Sequence, residues 1–117
     1  MSDRQKIFQQ ISEEREKQTI KWGDQHWPSF QVGLSLPELL AEHRIPDEDR
    51  AKKSCDGAFA AKEGSWTHIL LEEFCEVVGT VEKSQDELEK ELIQTAAVIV
   101  SWLEDLYASK RNGVSQC

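Results

Sequence analysis

The sequence has no apolar run long enough to cross a membrane, no glycine-rich phosphate loop, and no Ser/His/Asp grouping of the kind that builds a nucleophilic hydrolase. Cysteine is scarce. Cys55, Cys75 and Cys117 make an odd number with no zinc-type spacing, which excludes a disulfide framework and reads as free thiols in a reducing compartment. Basic residues are also in deficit: 14 Lys and Arg stand against 22 Asp and Glu, for a formal net charge of −8. A nucleic-acid binder needs a basic face to release counterions, so that class is set aside. A nucleotide brought in with metal ions is not excluded by the same argument. There is no repeat and no low-complexity tract. The opening Met1-Ser2-Asp3-Arg4-Gln5-Lys6 leads into no apolar run, so neither a signal peptide nor a membrane span is expected, and a cytoplasmic location is.

What is present is helical patterning. At 117 residues the chain is expected to form one domain over its whole length, 1–117. Four helical segments and one short helix are expected, with no strand. The first runs from Asp3 to Lys21, with Ile7, Phe8, Ile11, Arg15, Gln18 and Trp22 on one face and Gly23 as its stop. Ser35 and Pro37 open a short helix to His43. Pro46-Asp47-Glu48-Asp49 starts another, reaching about Lys62 and stopping at Gly64. Ser65 or Thr67 caps a helix reaching about Glu82. Ser84-Gln85-Asp86-Glu87 fits a capping box for a last helix to about Ser109.

The short link between the last two helices implies an antiparallel hairpin. Trp66, Leu70, Phe74, Val77 and Val81 form one apolar stripe; Leu88, Leu92, Thr95, Ile99, Trp102 and Leu106 form the other. Ile93, Ala96, Ala97 and Val100 give the last helix a second apolar face, which predicts a homo-oligomer with that helix in the interface.

The chemistry lies in Leu71-Glu72-Glu73-Phe74-Cys75-Glu76 and Glu91-Leu92-Ile93-Gln94. Glu73 and Glu76 share a flank of their helix, and so do Glu91 and Gln94, each pair at i, i+3 spacing. Carboxylates on an inner flank are costly unless a cation meets them, and a hard divalent ion such as Mg²⁺ prefers oxygen ligands. Glu73, Glu76, Glu91 and Gln94 are therefore candidate metal ligands. Glu87, one turn before Glu91, is an alternative to Gln94. The plain alternative for all of them is a set of solvated surface glutamates.

Glu72-Glu73-x-x-Glu76 followed by Glu91-x-x-Gln94 resembles the E-E-x-x-E…E-x-x-D signature of MazG-like, all-α nucleoside-triphosphate pyrophosphatases, relatives of dimeric dUTPases and phosphoribosyl-ATP pyrophosphatases. The resemblance covers about Thr67 to Leu106. It implies a four-helix-bundle core that forms a homodimer or homotetramer. It implies Mg²⁺-dependent (or Mn²⁺-dependent) cleavage of a nucleoside triphosphate to monophosphate and pyrophosphate. Glu73, Glu76 and Glu91 take the ligand roles, and Glu72 becomes the acid that orients or deprotonates the attacking water. The chain departs from the signature at Gln94, where the family usually has Asp; an amide oxygen is neutral and binds a hard cation more weakly. That departure sustains a second reading, a catalytically degenerate helical module acting in oligomerisation, partner binding or nucleotide sensing.

Outside the signature, Lys21, Trp22, Gln25 and His26 are candidate base-recognition residues, since indole rings stack on bases and Gln and His bond base edges. The alternative is that Trp22 and Trp27 cover the bundle end. Arg15 and Gln18 either point into the pocket or snorkel from the core edge. Arg50 and Lys53, with Lys52, either meet the leaving pyrophosphate or form a solvated face. His68 reads as a capping or surface residue, and Cys75 as packing.

Overall fold

The computed structural model describes residues 1–113, and their regular structure is entirely helical, with no strand among them. The helices are α1 (Asp3–Trp22), α2 (Leu36–His43), α3 (Glu48–Ala60), α4 (Trp66–Gly79) and α5 (Gln85–Arg111), with a single 3₁₀ turn at Thr80–Glu82 after α4. Cys117 lies outside the described residues. Among the described residues no helix is long and apolar enough to cross a membrane.

Side chains that satisfy the otherwise orphaned backbone N–H groups set the helix starts. Ser2 and Gln5 form a capping box on α1, and Ser35 and Glu38 form one on α2. Asp47 accepts from the Arg50 N–H at 2.8 Å to start α3. Ser65, not Thr67, caps α4, and its hydroxyl also meets His68 Nδ1 at 2.7 Å. The Glu87 N–H donates to Ser84 Oγ at 3.2 Å at the start of α5. Gly23 ends α1 with φ +68°, a left-handed value that favours glycine. At the end of α3 it is Lys62 that takes positive φ, at 61°. Gly64 serves a different need from the expected helix stop: a Cβ there would collide with the Phe59 ring.

Contacts divide the chain into two compact units. One is Pro28–Ile99, holding α2, α3, α4 and the first half of α5. Here α3 lies along α4, and α2 also touches α4. The apposed surfaces use small side chains: Ala51 and Cys55 of α3 are buried, as are Cys75, Val78 and Gly79 of α4. A Cβ on Gly79 would strike the Glu48 carboxylate, so glycine leaves room for that side chain as it lies at the end of α4.

This packing corrects the expected stripe on α4. Val77 is buried, but Phe74 is 43% exposed and Trp66 and Leu70 are only half-buried. The side carrying Cys75, Val78 and Gly79 is the one α3 covers. On α5, Ile93 (72% exposed), Ala96 and Ala97 are open as expected of a second apolar face, while Val100 is buried by its own chain. Leu92 and Ile99, expected to face inward, are exposed too.

The other unit joins residues Met1–Trp27 to the part of α5 from Val100 onward. Ile7 is its buried anchor. Around it, Arg4 pairs with Glu104 at 3.3 Å, the Tyr107 hydroxyl donates to Gln10 at 2.6 Å, and Arg111 pairs with Asp3. Phe8, Ile11, Ile20 and Trp22 of α1 stay exposed.

Burial separates two isoleucines of the same helix. Ile7, 1% exposed, is expected to cost about 2–4 kcal/mol on truncation to alanine, and Ile20, 86% exposed, under about 0.5 kcal/mol. Urea denaturation of the two variants, compared by midpoint at constant slope, measures the difference.

Candidate metal centre

Glu73 and Glu91 are separated by 18 positions, roughly 27 Å along an uninterrupted helix at about 1.5 Å per residue. Their side chains nevertheless meet, because the 3₁₀ turn and the Lys83–Ser84 link reverse the chain between α4 and α5. Glu76, one turn after Glu73, joins them. Carboxylate oxygens of Glu73, Glu76 and Glu91 lie within 4.8 Å of one another, and all three residues are half-buried.

Three ionised carboxylates at that spacing oppose one another strongly. A pair of like charges about 4.8 Å apart repels by roughly 3–4 kcal/mol at an effective dielectric of about 20. The proton equilibria show the strain. Burial first, then the charges of Glu91 and Glu72, raise the Glu73 carboxyl above its ordinary range. Burial, a hydrogen bond with Glu91, and the charges of Glu73, Glu91 and Glu72 push Glu76 up to about 7. Among the described residues two oxygens have no hydrogen-bond partner: Glu73 Oε2 and Glu91 Oε2, both buried. Buried acceptors left unpaired are rare and costly. A cation between these oxygens would satisfy both and cancel the repulsion, so the donor set fits a hard metal ion.

The remaining residues singled out in the sequence fall in several places. Glu72 is half-buried on the side of α4 toward α3, where it meets the buried Cys55 thiol. Burial, then the hydrogen bond to Glu72 and its charge, push that thiol up to about 11, so the S–H is retained and donates to the carboxylate. The sequence reading missed this contact. Its only trace there is the i, i+4 spacing of Ala51 and Cys55, which marks the inner face of α3. Gln94 lies one turn beyond Glu91 and is exposed; Glu87 is exposed at the α5 cap.

Lys53 is paired with Asp49 at 3.0 Å on the surface of α3. Arg50 lines a hollow with Leu71, which sits roughly 160° round the α4 axis from Glu73 at about 100° per residue. Arg50 thus opens on a different side of α4 from the three carboxylates. Lys21, Trp22, Gln25 and His26 belong to the other unit. There Lys21 Nζ sits 4.7 Å from the centroid of the exposed Trp22 ring. Gln25 and His26 line a polar hollow of about 430 Å³ with Arg15, Gln18, Gly23 and Asp24, and Arg15 donates to Gln18 at 2.7 Å.

The carboxylate cluster sets a pH dependence. The Glu76 carboxyl is pushed up to about 7 in the fold, from its ordinary value of 4.5 in the unfolded chain, so between these values the folded chain holds the extra proton. Its contribution to stability is complete below about pH 4.5 and is lost as the pH rises through 7. The metal-free protein is expected to lose thermal stability across this window, Glu76→Gln to flatten the loss, and divalent cation to restore stability above pH 7. Melting scans at stepped pH, with and without chelator, read all three.

Comparison of the chain with protein-family models, with curated proteins and with solved structures gave no match, so the functional reading stands on the motif and the geometry of these carboxylates.

Proposed function

We propose that the chain is a Mg²⁺-dependent nucleotide pyrophosphohydrolase of the MazG-like kind, converting a (deoxy)nucleoside triphosphate to its monophosphate and pyrophosphate in nucleotide-pool house-cleaning. The observation that carries the reading is the convergence of Glu73, Glu76 and Glu91, with two buried oxygens unpartnered, at the positions of the signature. Glu73, Glu76 and Glu91 would hold the cation, with the exposed Gln94 carbonyl oxygen as a neutral fourth donor. Mn²⁺ suits the same oxygens. Bound there, the ion would supply charge neutralisation and polarisation of a phosphoanhydride.

The chain's own residues then divide the work. Glu72 orients the attacking water and accepts its proton. The Cys55 S–H holds the Glu72 carboxylate from the α3 side and, being neutral and buried, keeps bulk water from that flank. Lys21, Trp22, Gln25 and His26 keep, from the sequence alone, the base-recognition role proposed for them; Gln25 and His26 line the polar hollow of their own unit. No cysteine or serine nucleophile enters. Incubation with a panel of NTPs and dNTPs plus Mg²⁺ or Mn²⁺ is expected to release pyrophosphate. Glu73→Gln is expected to lower the rate by at least about a hundredfold with an unchanged helical circular-dichroism spectrum. No release from any nucleotide would overturn the enzyme reading. Nucleotide-induced stabilisation without release would favour the alternative, a degenerate module that senses nucleotides, which the neutral Gln94 favours.

The same proposal includes a homodimer or homotetramer. Leu92, Ile93, Ala96, Ala97 and Ile99 lie exposed on α5, and Phe74 lies exposed on α4. Apolar helix surface of this extent favours burial against a second copy. Ile93→Glu is expected to lower the mass measured by light scattering toward that of one chain. An unchanged mass would remove α5 from the interface.

A further inference from the structure

In the unit formed by Pro28–Ile99, a second hollow of about 430 Å³ opens where the α2–α3 connection meets α4. Its volume lies within the range of small-molecule sites. Two arginines, Arg44 and Arg50, line it together with Ser54. Ile45, Pro46 and Leu71 supply apolar surface. The chain carries a net charge of −8, yet neither arginine enters an ion pair among the described residues. Arg44 is held with φ 53° and ψ 44°, a left-handed conformation that non-glycine residues seldom adopt, and this fixes the start of its side chain at the rim.

Leu71 marks the side of α4 turned away from Glu73, so this hollow is separate from the carboxylate cluster. We propose that it is a second ligand site, for an organic phosphate. The guanidinium groups take the phosphate oxygens as charge-assisted, two-pronged donors. The Ser54 hydroxyl adds a donor, and the Ile45, Pro46 and Leu71 surface takes the apolar or planar body, with a nucleoside monophosphate as the fitting class. The two arginines make the site independent of any metal, which sets it apart from the proposed catalytic reading.

The test is isothermal titration of the full chain in excess EDTA, where no metal-dependent turnover occurs. The ligands are a nucleoside monophosphate and inorganic pyrophosphate. Wild type is expected to bind the monophosphate. Arg44→Asn, which tolerates the left-handed backbone, and Arg50→Ala are each expected to weaken it at least tenfold, with helical content unchanged. Leu71→Ser is expected to weaken the monophosphate but not pyrophosphate. Absence of binding by wild type, or equal binding by the arginine variants, would overturn the site. An equal loss of both ligands in Leu71→Ser would overturn the role given to the apolar surface.

Discussion

Mutual repulsion among Glu73, Glu76 and Glu91 is the constraint on which the account of this protein depends. Two helices deliver these carboxylates to within 4.8 Å of one another in a half-buried position. Only a proton or a cation relieves that arrangement at modest cost. The proton is the lesser remedy, because it resides on Glu76 only up to about pH 7 and leaves Glu73 Oε2 and Glu91 Oε2 without partners. A hard cation would satisfy all three groups at once, and this is what supports the proposed metal-dependent reading.

The architecture around the cluster follows from the small side chains of α3 and α4. Ala51, Cys55 and Cys75 let the two helices approach closely, and Gly79 leaves room for the Glu48 carboxylate. That close approach fixes the rotation of α4 about its axis. With Cys75 turned to α3, Glu72 falls beside Cys55 and Glu73 and Glu76 turn toward α5. The same rotation directs Leu71 to the hollow with Arg44 and Arg50. One packing choice thus separates an acidic side of α4 from a basic hollow.

Much of this was legible in the sequence. Local chemistry gave Ser35, Asp47 and Ser84 as helix starts and Gly23 as a stop, because capping depends on neighbours within one turn. The i, i+3 spacing placed Glu73 with Glu76, and the short link before Gln85 brought Glu91 to them. The covered face of α4 was not legible. That helix is apolar on two sides, and periodicity does not say which side its own chain covers, so Phe74 was read as inward and is exposed. Val100 was grouped with Ile93, Ala96 and Ala97 on one face, but α5 enters a different unit at that residue. The Cys55–Glu72 contact and the pairing of Arg44 with Arg50 around one hollow depend on the register of α3 against α4, which no local pattern encodes.

The central claim is most directly tested by anomalous diffraction from crystals of the full chain grown with Mn²⁺. The account predicts an anomalous peak bonded to Glu73 Oε2 and Glu91 Oε2, with a Glu76 oxygen in the same coordination sphere. Ordered manganese elsewhere, or these three side chains turned apart into solvent with no ion between them, would contradict it.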